Sequence, residues 1–196
     1  DYIDISGDID KIRYLTESTV IIKFRTASDS ISMALFSASD SRDESSEFCI
    51  PMSSGQLMAH VRENGTTLAV YKTPKKYNDG KWHTMALVSS LNGTSIYVDG
   101  EKTASGPAAT FAMVSDINSM NIGRNLDSKP SGEWYYNGEI EFIRIYNKAI
   151  SDKMARELTQ SPDYTPVLIG YTIPFIDLSK DTSRQILVDK EDGQYL

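Results

Sequence analysis

Cysteine is nearly absent from this 196-residue chain: the single Cys49 rules out an intrachain disulfide. Basic residues are scarce for a nucleic-acid surface. Twenty Lys and Arg stand against 27 Asp and Glu, a formal net charge of -7, and phosphate neutralisation needs a basic face. No apolar run approaches the roughly 20 residues that cross a bilayer, so no membrane span is expected. The two histidines, His60 and His83, lack metal-ligand spacing, and the chain has neither a nucleophile elbow nor a Gly-rich phosphate loop. What is there, 40% hydrophobic residues, suffices for one sizeable core. The first residue is Asp rather than Met, which reads as a fragment of a longer polypeptide.

Turn dipeptides between apolar runs are plentiful. Asp79-Gly80-Lys81-Trp82-His83 leads into Thr84–Val88, and Asn92-Gly93 and Asp99-Gly100 bracket Ile96-Tyr97-Val98. Asn64-Gly65 separates Leu57–Arg62 from Thr67–Tyr71, and Asn137-Gly138 precedes Glu139–Tyr146. Asn-Gly and Asp-Gly suit the type I′ turn, whose two central residues need positive φ, so each dipeptide predicts a reversal of the chain. Asn64-Gly65-Thr66 and Asn92-Gly93-Thr94 also fit a glycosylation sequon, but a hairpin turn accounts for both.

Alternation fills in the strands. Val20, Ile22 and Phe24 share one face, while the other carries Ile21, Lys23 and Arg25 and turns polar toward its end. Met33–Ser37 and Glu47–Met52 follow, with a polar loop over Ala38–Ser46. Ile140 and Phe142 have one parity, Ile143 and Ile145 the other, so a bulge is expected near Phe142-Ile143. Ser151 as N-cap, followed by Met154, Ala155 and Leu158, predicts a short closing helix. The fold class is therefore all-β: an antiparallel β-sandwich with a short C-terminal helix. Ser161–Pro166, with two prolines, reads as a linker.

The order strand, Asp79–His83, strand, Tyr97-Val98-Asp99-Gly100, then Ile122-Gly123-Arg124, Gly138–Asn147 and Lys148–Ser151 resembles the concanavalin-like or laminin-G-like jelly-roll superfamily over roughly residues 1–160. Tyr2–Ser6, Leu15–Val20 and Leu35-Phe36-Ser37 resemble, more narrowly, the family 40 carbohydrate-binding modules, the sialic-acid-binding lectin domains of bacterial sialidases. Ser183–Lys190 and Gly193–Leu196 look like the entry into a sialidase-type propeller. The expected organisation is a lectin-like carbohydrate-binding domain at 1–160, then linker and the start of a propeller at 161–196.

Sialic acid presents a carboxylate, a glycerol arm and an N-acetyl group, and a planar guanidinium grips a carboxylate with two charge-assisted hydrogen bonds. The resemblance implies a Glu-x-Arg on a middle strand, a second arginine and a later tyrosine. The matching strand reads Ala59-His60-Val61-Arg62, so Arg62 takes the arginine position and His60 replaces the glutamate. His60 and Arg62 share a strand face and can serve one shallow site. Arg124 matches the second arginine, and Trp134, Tyr135 and Tyr136 supply the aromatics; their alternation sends at least one into the core.

The resemblance implies a non-catalytic module that binds sialylated glycans, such as mucin or cell-surface oligosaccharides, and targets a covalently linked sialidase in a secreted or cell-surface bacterial protein. Two other readings stand beside it: a laminin-G-like module for a protein or neutral glycan, and a jelly-roll glycoside hydrolase using Glu139 and Glu141. No cofactor is required, although Asp29, Asp40, Asp43 and Glu44 offer oxygens to a calcium ion.

Overall fold

Type I′ geometry is present at Asn64-Gly65 (φ 47° and 76°) and Asp99-Gly100 (φ 50° and 84°), and also at Ser54-Gly55 (φ 49° and 81°), which the sequence reading passed over. Asn92-Gly93 behaves differently. Ser90 pairs with Gly93, so the loop consists of Leu91 and Asn92 and the glycine already belongs to the next strand. Asp79-Gly80 is not a hairpin either, because the strands on its two sides lie in different sheets. Gly138 serves close approach: a Cβ there would collide with the Arg25 carbonyl oxygen.

The computed structural model describes residues 2–42, 46–126 and 134–161, and the backbone of two later strands at 174–178 and 185–188. Its elements are β1 (Ile3–Asp4), a 3₁₀ turn at Ser6–Asp8, α1 (Ile9–Ile12), β2 (Glu17–Arg25), β3 (Met33–Ser39), β4 (Glu47–Ser53), β5 (Gln56–Glu63) and β6 (Thr66–Lys72). Then come β7 (His83–Ser90), β8 (Gly93–Val98), β9 (Glu101–Gly106), a 3₁₀ turn at Phe111–Met113, β10 (Ser119–Ile122), β11 (Arg124–Asn125), β12 (Trp134–Tyr135), β13 (Glu139–Tyr146), α2 (Asp152–Gln160), β14 (Pro174–Leu178) and β15 (Gln185–Val188). One antiparallel sheet runs β1-β10-β3-β4-β5-β6; the facing sheet runs β15-β14-β13-β2-β7-β8-β9. The segment expected to hold linker and propeller thus adds two strands beside β13 at backbone level.

Two apolar clusters hold the sheets. Val20, Ile22 and Phe24 meet Phe36, Phe48, Ile50, Val61 and Met120 between them, with Phe111 wedged against Phe48 at 4.1 Å between ring centroids. On the outer side of the second sheet, Ile21, Ala86, Tyr97 and Phe142 are covered by Ala155 and Leu158 of α2. Ser151 caps that helix by accepting the Met154 N–H. The bulge falls between Ile140 and Phe142, one residue before its expected place, and turns Ile140 and Ile143 inward and Phe142 outward to the helix cluster.

His83 ties two turns together. Its Nδ1 lies 2.6 Å from Asp99 and its Nε2 3.0 Å from Asp79, with Phe24 and Tyr77 packed on the ring. The Asp99 hydrogen bond, helped by Asp79 and opposed by burial, raises the His83 pKa above its ordinary 6.5. A raised folded-state pKa means stabilisation that is fully present below about 6.5 and lost as pH rises through the folded value. His83→Gln is therefore expected to lower stability by about 1–2 kcal/mol at pH 6 and by less at pH 9, read from urea unfolding at both pH values. An equal loss at both would remove the charge argument.

Candidate functional site

The outer face of the six-stranded sheet is polar and yet covered. Register places Asn121, Ser37, Cys49 and His60 in one row across β10, β3, β4 and β5, and Ser119, Ser39, Glu47 and Arg62 in the next. Directly paired residues project to the same side, so these side chains share one surface. The segment 124–126 lies over it. The Ser37 hydroxyl donates to the Arg124 carbonyl at 2.9 Å and the Ser39 hydroxyl to the Leu126 carbonyl at 2.7 Å.

Beside that segment, Glu47 collects His60, Arg62 and Asn125. Its carboxylate is 2% exposed; Oε1 lies 3.1 Å from His60 Nδ1 and 3.1 Å from Arg62 Nη2, and Oε2 accepts the Asn125 Nδ2–H at 2.8 Å. Burial works to raise the Glu47 pKa, but the His60 hydrogen bond and charge, the Asn125 amide and Arg62 outweigh it and hold the carboxyl below its ordinary value. Among the described residues, Arg62 Nε and Nη2 and Asn125 Oδ1 are buried without a hydrogen-bond partner of acceptable geometry. Such atoms carry a desolvation penalty of about 1–3 kcal/mol each.

Arg124 has other company. Its Nη2 donates to Asn121 Oδ1 at 2.8 Å, and its guanidinium carbon lies 3.5 Å from the centroid of the Tyr2 ring. Tyr135, paired with Arg124 in the β11–β12 ladder, sits 6.1 Å from Tyr2, and both rings are nearly half exposed. Glu47 and Asn121 stand on opposite neighbours of β3 and one row apart, which puts their backbones about 12 Å from each other. The two arginines thus share a face in separate clusters, and the segment 124–125 links them. Trp134 is half-buried, whereas Tyr136 turns into the core and donates its hydroxyl to the Arg25 carbonyl.

Glu47, Asn121, Asn125 and Tyr2 were not among the sequence candidates. The signal for Glu47 was Ser54-Gly55: a two-residue turn pairs Ser53 with Gln56, and six steps away from it pair Glu47 with Arg62.

The sequence profile of the concanavalin A-like lectin/glucanases superfamily matches residues 2–154. The chain belongs to that superfamily. Among solved structures, this concanavalin-like module is similar to the CBM40 of the Ruminococcus gnavus IT-sialidase bound to α2,3-sialyllactose, with TM-score 0.73, 16% identity, 81% of this chain and 91% of that one covered. It is also similar to the leech intramolecular trans-sialidase (TM-score 0.72, 15% identity, 86% and 27% covered) and to the NanB sialidase of Streptococcus pneumoniae (TM-score 0.69, 24% identity, 87% and 28% covered). The module spans almost the whole of the isolated CBM40 and little more than a quarter of each full sialidase. At these identities the likeness is one of fold. No curated protein sequence matches it significantly.

The superfamily also contains glucanases, which bears on Glu139 and Glu141. In this concanavalin-like module Glu139 Oε1 accepts two hydrogen bonds from Arg25, and Glu141 pairs with Lys23 at 3.0 Å. Trp82 lies under Arg25, 4.8 Å from its guanidinium carbon. Both carboxylates are engaged in a charged lattice on the outside of the second sheet, which is a structural use of them. Of the calcium candidates, Asp43 and Glu44 lie outside the described residues. Asp29 accepts from Asn78, whereas Asp40 is taken up by Arg42 and Asn118, and the Arg42 hydrogen bonds bring Asp40 down to about 2. Among the described residues, no three His, Cys, Asp or Glu side chains converge on a metal position.

Proposed function

We propose that this module is a non-catalytic carbohydrate-binding domain that recognises a terminal sialic acid and holds a covalently linked sialidase on sialylated glycans. What carries the reading is one polar face on which two arginines, Arg62 with 14% of its side chain exposed and Arg124 against the Tyr2 ring, stand with two exposed tyrosines, Tyr2 and Tyr135. A guanidinium with spare donors offers itself to a carboxylate or hydroxyl, and the Tyr2 and Tyr135 rings offer apolar faces to the sugar ring or the N-acetyl methyl. A ligand with a carboxylate on one side of its ring and a glycerol arm on the other suits two polar clusters about 12 Å apart. Residues 1–160 form the binding domain in this reading, and 161–196 lead into the catalytic domain of a secreted bacterial protein. The gain is one of local concentration: a weak site tethered to an enzyme raises its encounter with substrate without any new contact.

Titration with 3′-sialyllactose and with lactose tests the proposal. Saturable binding to the first and none to the second is expected. Equal binding to both, or none to either, would reject sialic acid as the ligand.

A further inference from the structure

We infer that Glu47 is the positioning residue of this site: it fixes one edge of Arg62 and, through the Asn125 amide, the segment that crosses the sheet, so that the part of the Arg62 side chain open to solvent is held in place for the ligand. The inference rests on the sialic-acid reading of the site and adds a role to a residue that does not itself touch the sugar.

The geometry gives Glu47 no capacity left for a ligand. One oxygen serves His60 Nδ1 and Arg62 Nη2, the other serves Asn125 Nδ2, and the side chain is closed off from solvent. Burying a carboxylate is costly unless donors surround it, and here the donors come from two elements: His60 and Arg62 from β5, Asn125 from β11. The carboxylate therefore joins the sheet to the segment that lies across it.

Each partner is left with a defined remainder. An arginine side chain has many rotamers; once Nη2 is drawn to Glu47, Nε is held on the same surface with its proton unspent. The Asn125 amide is likewise committed. With Nδ2 donating to Glu47, Oδ1 must face away, and it has no donor among the described residues. The part of the Arg62 side chain that stays accessible, 14% of it, is thereby held at one place on the face. Glu47→Gln removes this definition, because a glutamine amide both donates and accepts and can seat Asn125 either way round.

The test is a double-mutant cycle read by calorimetric titration with 3′-sialyllactose on the full chain, comparing wild type, Glu47→Gln, Arg62→Ala and the double variant. Glu47→Gln is expected to weaken binding about tenfold, a free-energy change of about one decade in Kd. Arg62→Ala is expected to weaken it at least as much, and the double variant by clearly less than the product of the two losses, since the part of Glu47 that acts through Arg62 is already gone and only the part through Asn125 remains. A residue with a merely structural role would not show that coupling. His60→Glu in the Glu47→Gln background provides the rescue. Residue 60 lies on the same strand face two positions from Arg62, so a carboxylate there can hold Arg62 from its own strand, and much of the lost affinity should return. This variant also restores a negative charge beside Arg62, so it remains informative where Glu47→Gln by itself folds poorly. Binding of Glu47→Gln within twofold of wild type, losses that multiply in the double variant, or absence of rescue would each overturn the inference. Failure of wild type to bind sialyllactose would instead reject the sialic-acid reading, and the role of Glu47 with it.

Discussion

Phe111→Ala is expected to cost about 3–5 kcal/mol of stability, the range for removing a buried aromatic ring whose surroundings cannot close over the space. Phe111 is fully buried and comes from a short 3₁₀ turn, not from a strand; it reaches between the sheets to lie 4.1 Å from Phe48 and edge-on to Phe36 at 6.1 Å. Phe36 and Phe48 are held in β3 and β4 by ladders on both sides, so neither can move far into the vacated volume. For a domain of this size each kcal/mol moves the melting temperature by about 2–4 °C, so a drop of about 6–20 °C is expected in calorimetry. A shift under about 3 °C would mean that the 3₁₀ turn is not part of the cooperative core.

Arg124→Ala is expected to abolish detectable binding to sialyllactose. Truncating one member of a desolvated charged contact costs about 2–5 kcal/mol, which takes a weak sugar site below the reach of titration. The side chain is 6% exposed, so its loss also strands the Asn121 carbonyl it serves and uncovers the Tyr2 ring, and about 1–3 kcal/mol of stability should go with it. Arg124→Lys separates the two effects. Lysine keeps the charge but neither the planar fork nor the flat stacking on Tyr2, so the protein should fold and bind at least about tenfold more weakly. Wild-type affinity in Arg124→Lys would mean that only the charge, or nothing at this position, is read by the ligand.

What could be read from the sequence was what depends on neighbours along the chain. Val20, Ile22 and Phe24 declare a buried strand face by parity alone, Ser151 declares a helix start by the hydrogen bond its side chain makes three residues on, and Asn64-Gly65 and Asp99-Gly100 declare turns by tolerance of positive φ. The site depends on a different relation. Glu47 and Arg62 meet only because β4 and β5 pair in one register, and that register is set by Ser54-Gly55, a turn with a weaker signature than Asn-Gly. Asn125 meets Glu47 because β11 crosses the outside of the sheet, an arrangement that no periodicity announces. The same crossing explains why β3 is buried on both faces although its outward side carries Ser37 and Ser39, residues that alternation assigns to solvent. His83 and Trp82, prominent in the sequence pattern, belong to the frame: the first joins two turns and the second underlies the Arg25–Glu139 pair.

The way residues 124–126 are fastened has a consequence for how such a module changes over time. Ser37 and Ser39 hold the segment by main-chain carbonyls, at Arg124 and Leu126, and a carbonyl is the same whichever side chain its residue bears. Mount and fitting are thus separable at 124 and 126: substitutions there can exchange the groups that the proposed site shows to a ligand while these two carbonyl bonds stay intact. If the proposed site is the one that reads the ligand, a few changes in this short stretch alter what it reads without the sheet having to be rebuilt.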